Sequence, residues 1–95
     1  MNKKIALLDC TLRDGGFTND WNFGFGTIQS LISRLDQAKV DIIEIGFIDQ
    51  RRQYDNNKSI EPSTSGFAPI LNGFNLSHSK IAAMIDYGTC DLQYI

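Results

Sequence analysis

The sequence contains only two cysteines, Cys10 and Cys90, and a single histidine, His78. The cysteines are too far apart for a C-x-x-C redox pair or a zinc-knuckle spacing, which leaves them as buried or half-buried free thiols of a reducing compartment. A reactive thiol would want a basic neighbour to lower its pKa. His78 lies in a polar stretch with no visible tie to either cysteine and reads as an ordinary loop histidine. Basic residues are not in excess: nine Lys and Arg against eleven Asp and Glu give a formal charge of −2. That balance excludes a nucleic-acid backbone or an anionic membrane surface as the main partner and favours a small molecule. Nor is there a long apolar run. Ile5 to Leu8 is too short for a signal peptide, and no stretch approaches the roughly 20 residues that span a bilayer. The expected location is the cytoplasm.

What is present is ordinary globular composition, 42% hydrophobic and 21% charged over 95 residues. Residues 1–95 make one domain at most, with a thin stability margin because a chain this short leaves much of its surface wet. There is no internal repeat and no low-complexity segment.

Lys4 to Asp9 reads as a strand buried on both faces, since Ile5, Ala6, Leu7 and Leu8 are continuously apolar. Ile28, Leu31, Ile32, Leu35 and Ala38 recur at helical spacing, with Thr27 as the expected cap. Asp41 to Phe47 supplies a second strand, rich in β-branched and aromatic residues and thinning at Gly46. Strand, helix and strand joined so tightly form a right-handed βαβ unit with parallel strands, so the fold class is α/β. From Ile48 to Ser79 the pattern dissolves into polar residues and turn formers, with Phe67, Ile70, Leu71 and Phe74 suggesting part of a helix. Ile81 to Ile85 then gives a third strand, closed by the turn residues Asp86, Tyr87 and Gly88. At Lys39 the helix gives way to the second strand where a positive-φ glycine is usual; a lysine in that conformation costs roughly 1 kcal/mol relative to glycine.

In a parallel barrel, reactive groups sit where the strands end and the loops begin. Arg13 and Asp14 follow the first strand: an aspartate there can hold a divalent cation, and an arginine can stabilise an enolate or carboxylate. Gly15 and Gly16 would let the backbone turn sharply and approach a ligand. Glu44 lies among isoleucines, where a lone carboxylate is costly unless paired. Strand alternation puts Ile43, Ile45 and Phe47 toward the helices and Glu44 on the opposite face, with Arg13 as its natural partner. The loop from Gly15 to Gly24 lacks the Lys-Ser/Thr ending of a phosphate-binding P-loop. It reads instead as an active-site loop in which Asn19 and Trp21 line or cover substrate, or as packing of Phe17, Trp21 and Phe23.

The run Leu8, Asp9, Cys10, Thr11, Leu12, Arg13, Asp14, Gly15, Gly16 resembles the first-strand signature of the metallolyase TIM barrels, the superfamily of hydroxymethylglutaryl-CoA lyase, isopropylmalate synthase and 4-hydroxy-2-oxovalerate aldolase. The resemblance extends to Asp41–Gly46 and to Met84–Gly88. It implies the N-terminal portion of a (β/α)8 barrel, about three parallel strands with connecting helices, where a whole barrel needs about 250 residues. It also implies a divalent metal, Mg²⁺ or Mn²⁺, on Asp14, with Arg13 and Glu44 as catalytic groups of an aldolase or carbon–carbon lyase. The substrate would be a hydroxy keto acid or related acyl compound, cleaved through a metal-stabilised enolate. Two features depart from the family. Phe17 stands where its aldolases carry a histidine base, and nothing matches the histidine pair that completes the metal site. The remaining ligands and strands are therefore expected outside this chain, which by itself would be inactive. The alternative reading is a catalytically inactive module that assembles, with itself or with a missing barrel portion, through its open sheet edge.

Overall fold

A computed structural model describes residues 5–86 together with 88, 90, 91 and 93. Lys4 of the expected first strand and Tyr87 of the expected closing turn lie outside the described residues. The chain is α/β, with a sheet of parallel strands and helices against it.

Strand β1 (Leu8–Asp9) leads into α1 (Thr11–Asp14) and a 3-10 turn (Gly15–Thr18), then α2 (Phe25–Gln37) and β2 (Ile42–Ile48). After β2 come β3 (Ile60–Glu61), a second 3-10 turn (Thr64–Phe67), α3 (Ala68–Leu71) and β4 (Lys80–Met84). The central strand is β2, and every other strand runs parallel to it. Leu8 and Lys80 both pair with Ile42, so β1 and β4 occupy opposite edges. Ile60 and Met84 both pair with Phe47, which places β3 on the β1 edge, farther along.

The expected helix is present, but its start differs. Thr27 lies inside the first turn, and Gly24, at φ 88°, precedes the helix. Asn57 caps it from a distant loop: its Oδ1 accepts the Phe25 N–H at 3.1 Å and its carbonyl accepts the Gly24 N–H at 2.9 Å. That satisfies N–H groups at the helix start which have no intrahelical partner. At the other end Val40 N–H reaches the Leu35 carbonyl and Lys39 N–H the Asp36 carbonyl, a Schellman closure with Lys39 at φ 63°. Ala38, the last residue of the expected apolar stripe, is exposed there. Asp36 is buried, and its carboxylate accepts the N–H groups of Ser77, His78 and Ser79 at 2.8 to 3.0 Å. These bonds hold its carboxyl far below the usual range and fix the entry to β4.

The core lies on one face of the sheet. Ile28 and Ile32 of α2 meet Ile43, Ile45 and Ile48 of β2, with Phe67 and Ile70 beside them and Leu12 from α1. Each such isoleucine contributes about 1.5–3 kcal/mol on burial. Phe47 does not join them, contrary to simple alternation. The pairing with β4 slips between Glu44 and Phe47, and Gly46 within that bulge has φ 141°. A Cβ there would stand 1.6 Å from the Ser59 carbonyl oxygen, so only glycine lets β3 approach. The extra residue turns Ile48 into the core and puts Phe47 on the face of Glu44.

A second correction concerns β1. It spans two residues rather than six, and Ile5, Leu7 and Leu8 are 80, 56 and 51% exposed, not buried on both faces. Among the described residues no strand pairs with its outer edge. The polar stretch after Ile48 contains β3, the second 3-10 turn and α3, so the sheet has a strand that the apolar pattern does not announce. Among the described residues no helix is long and apolar enough to cross a membrane.

Candidate active site

The loops that follow β1, β2 and β4 meet at the carboxyl ends of the strands, the place where open and closed parallel sheets bind ligands. Asp9 starts the first loop: its carboxylate accepts from the Thr11 N–H at 3.1 Å and the Thr11 hydroxyl at 2.9 Å, turning the chain into α1. One turn later Leu12 is buried in the core and Arg13 points back over the sheet. Its Nε donates to Glu44 Oε2 at 2.6 Å, with the two side chains 24 and 10% exposed. The pair that the sequence suggests is therefore formed. The bond to Glu44 raises the Arg13 pKa further and keeps the guanidinium charged.

Asp14 is exposed at the end of α1. Among the described residues no group of three or more His, Cys, Asp and Glu side chains could hold a metal ion. A divalent cation on Asp14 would need ligands from outside them, and the donors present do not make a metal site.

Gly15 continues the helical backbone at φ −68°, so it makes no sharp turn. Gly16 is approached closely, but by protein rather than ligand: a Cβ would lie 1.8 Å from Cδ1 of Trp21. Asn19 is exposed and donates to the Asn22 carbonyl at 3.3 Å, which makes it part of the turn. Trp21 is half-buried and its Nε1 donates to the Arg13 carbonyl at 2.8 Å, tying the loop to the ion pair.

Asp20 and Trp21 both have positive φ, 54° and 58°. Aspartate tolerates this region; for a bulky aromatic it costs roughly 1–2 kcal/mol. The turn is held by several bonds: Trp21 N–H to the Gly16 carbonyl and Ser59 N–H to the Trp21 carbonyl, both at 2.9 Å. The Asp20 carboxylate adds Lys58 Nζ at 2.8 Å and Arg52 Nη1 at 3.0 Å, and these cations hold its carboxyl below the usual range.

Beside this turn lies a cleft of about 150 Å³. Phe17, Trp21, Phe47 and Ile60 line it on the apolar side, with the three rings edge to face at 4.8 to 5.9 Å between centroids. Asp49, Arg51, Arg52 and Asp86 supply its polar lining. Arg51 binds Asp49 through two nitrogens at 2.8 and 2.7 Å, which lowers the carboxyl and raises the guanidinium. Arg52 lies over the Trp21 ring at 5.5 Å, a cation–π contact. Of the residues that the sequence singles out, Phe17 and Trp21 line this cleft; Arg13, Glu44, Asp14 and Asn19 do not.

Phe47, Asp49, Arg51 and Arg52 are site residues that reading the sequence misses. The signal was available: a charged cluster directly follows an apolar strand, at the end where a parallel sheet binds. Glu61 is also missed. It is fully buried, among the described residues accepts only long bonds from the Asp55 N–H, and burial pushes its carboxyl up to about 7. It pairs in register with Ile48 and packs against Gly66, on the helix side of the sheet and away from the cleft. Cys10 and Cys90 are half-buried free thiols, and His78 bonds Asp41 at 2.9 Å near the amino ends of the strands. No family model matches the chain, and no solved structure matches it.

Proposed function

We propose that the chain is the opening part of a (β/α)8 aldolase- or lyase-like domain in the cytoplasm that acts on a hydroxy keto acid or related acyl substrate. Arg13 stabilises the enolate oxygen that forms as the bond beside the keto group breaks, and Glu44 holds the guanidinium in place. The observation that carries this reading is the 2.6 Å bond between Arg13 Nε and Glu44 Oε2, at the carboxyl end of a strand that is otherwise apolar. A purely structural carboxylate in that strand would be better replaced by an aliphatic side chain, because desolvating an ion pair is costly. The pair instead holds a partly exposed guanidinium at the sheet mouth.

A divalent cation belongs to this chemistry in the families that the motif resembles, but the described residues do not complete a site for it. The roles of Arg13 and Glu44 therefore rest on protein groups alone. The test is enolisation: the chain joined to the barrel portion that would complete it, supplied with Mg²⁺ or Mn²⁺, should exchange the methyl protons of pyruvate for deuterium, read by mass spectrometry. Arg13→Ala should abolish the exchange while the Trp21 indole resonance keeps its shift. Wild-type protein that exchanges no faster than buffer would end the enzymatic reading.

One observation favours a second reading, a non-catalytic module that assembles with itself or with a separate barrel portion. Ile5, Leu7 and Leu8 stand exposed beside the outer edge of β1, an apolar strand edge of the kind that recruits a partner. Sedimentation at increasing concentration, of the chain alone and mixed with a separate barrel portion, decides it, since a concentration-independent monomer in both rules assembly out.

A further inference from the structure

We infer that the cleft bounded by Phe17, Trp21 and Phe47 binds a single planar ring with a polar edge, so that the substrate is an aryl-bearing keto acid. This rests on the keto-acid reading above and names which keto acids the site prefers.

Three features carry it. The first is size: a cavity of about 150 Å³ is on the scale that accepts one benzene-sized ring. The second is lining. Phe17, Trp21 and Phe47 already meet edge to face, and a ligand ring would extend that arrangement, since aromatic pairs favour offset or edge-to-face contact. Phe17 is 63% exposed, and Phe47, 6% exposed, stands outside the main core cluster because of the bulge at Gly46. The third is charge. Asp49 has its charge met by Arg51, while Arg52, with Nη1 on Asp20, and Asp86 stand on the same polar side, where a hydroxyl on the ring would meet them.

The cleft is joined to the ion pair through one side chain. Trp21 presents its ring to the cleft and gives its Nε1 proton to the Arg13 carbonyl. A ligand ring in the cleft therefore touches the side chain that is bonded to the Arg13 backbone.

Trp21 is the only tryptophan, so its indole N–H resonance reports on the cleft without need of turnover. Titrating the full chain with 4-hydroxyphenylpyruvate and, separately, with pyruvate should shift that resonance, the ring compound saturating at about tenfold lower concentration or better. Phe17→Ala, at an exposed position, should weaken the ring compound about tenfold and leave pyruvate unchanged. A far-ultraviolet circular dichroism spectrum and a thermal midpoint equal to those of wild type certify the fold of the ligand-free variant. Equal affinities, a preference that survives Phe17→Ala, or no response to the ring compound would each overturn the inference. The two proposals fail separately: ring binding without proton exchange sinks the enolate chemistry, and exchange of pyruvate without ring preference sinks the ring cleft.

Discussion

Replacing Glu61 by Gln should stabilise the protein above neutral pH and leave it nearly unchanged near pH 4.5. Glu61 is 0% exposed, and among the described residues the Asp55 N–H is its only hydrogen-bond donor, at 3.3 and 3.4 Å. Burial, with a smaller push from the Asp55 charge, raises its carboxyl from the ordinary 4.5 to about 7. Tyr54 also borders it, with its hydroxyl bonded to Ser63. The sign follows from proton counting. Between pH 4.5 and 7 the folded protein keeps a proton that the unfolded chain releases, so stability falls as pH rises through that window and levels off above it. A raised carboxyl is thus a destabilising feature at neutral pH, unlike the lowered Asp36. An unrelaxed site would cost roughly 3 kcal/mol at 1.36 kcal/mol for each tenfold change. Solvent screening and relaxation of the site on ionisation reduce that to about 2 kcal/mol. Urea unfolding of both proteins at half-unit steps from about pH 4.5 to about pH 8 measures it, and every other titrating group cancels in the difference. The Gln variant should gain steadily to about 2 kcal/mol near pH 7.5. Parallel stability profiles would show that Glu61 does not ionise near neutrality in the fold, and the account of its burial would be wrong.

Gly46→Ala should cost roughly 3 kcal/mol, lowering the thermal midpoint by roughly 15 °C, because a Cβ meets the Ser59 carbonyl at 1.6 Å where φ is 141°. A thermal melt within a few degrees of wild type would mean that β3 can yield without loss. Lys39→Gly should raise stability by about 1 kcal/mol in urea titration, since φ 63° suits glycine and the Schellman bonds are backbone only. A loss on that change would assign Lys39 a side-chain role.

The sequence makes the elements with long, regular apolar patterns legible. The isoleucine stripe of α2 and the dense apolar runs of β2 and β4 are each built from residues whose burial sets their own period, so they can be read locally. The Arg13 and Glu44 contact is legible for a similar reason: a carboxylate inside an apolar strand demands a cation, and few are near. What is not legible depends on distant partners. Asn57 caps α2 from across the chain, Ser59 sets the shape at Gly46, and Asp20 keeps its left-handed backbone because Lys58 and Arg52 hold its carboxylate. A strand as short as β3 has no period to detect. The exposure of Ile5, Leu7 and Leu8 is equally invisible to pattern, since an apolar run reads the same whether or not a neighbour covers it.

The bulge at Gly46 links these levels. Strict alternation along β2 would bury Phe47 with Ile43 and Ile45 and leave Ile48 on the opposite face with Glu44. The positive φ at Gly46 inserts one residue out of phase, so the core gains Ile48, a branched side chain that packs under α2 and α3, and the other face gains an aromatic ring. That exchange sets Phe47 against Trp21 at 5.5 Å and completes the ring wall beside the Arg13 loop. Ser59 enforces the same bulge from beside β3: its carbonyl takes the Phe47 N–H at 3.0 Å, its N–H reaches Trp21, and its hydroxyl donates to the Leu12 carbonyl at 2.6 Å. One glycine and one serine thus couple the central strand to the first loop. A change at either should therefore disturb the cleft and the Arg13 backbone together, which a site assembled from independent loops would not do.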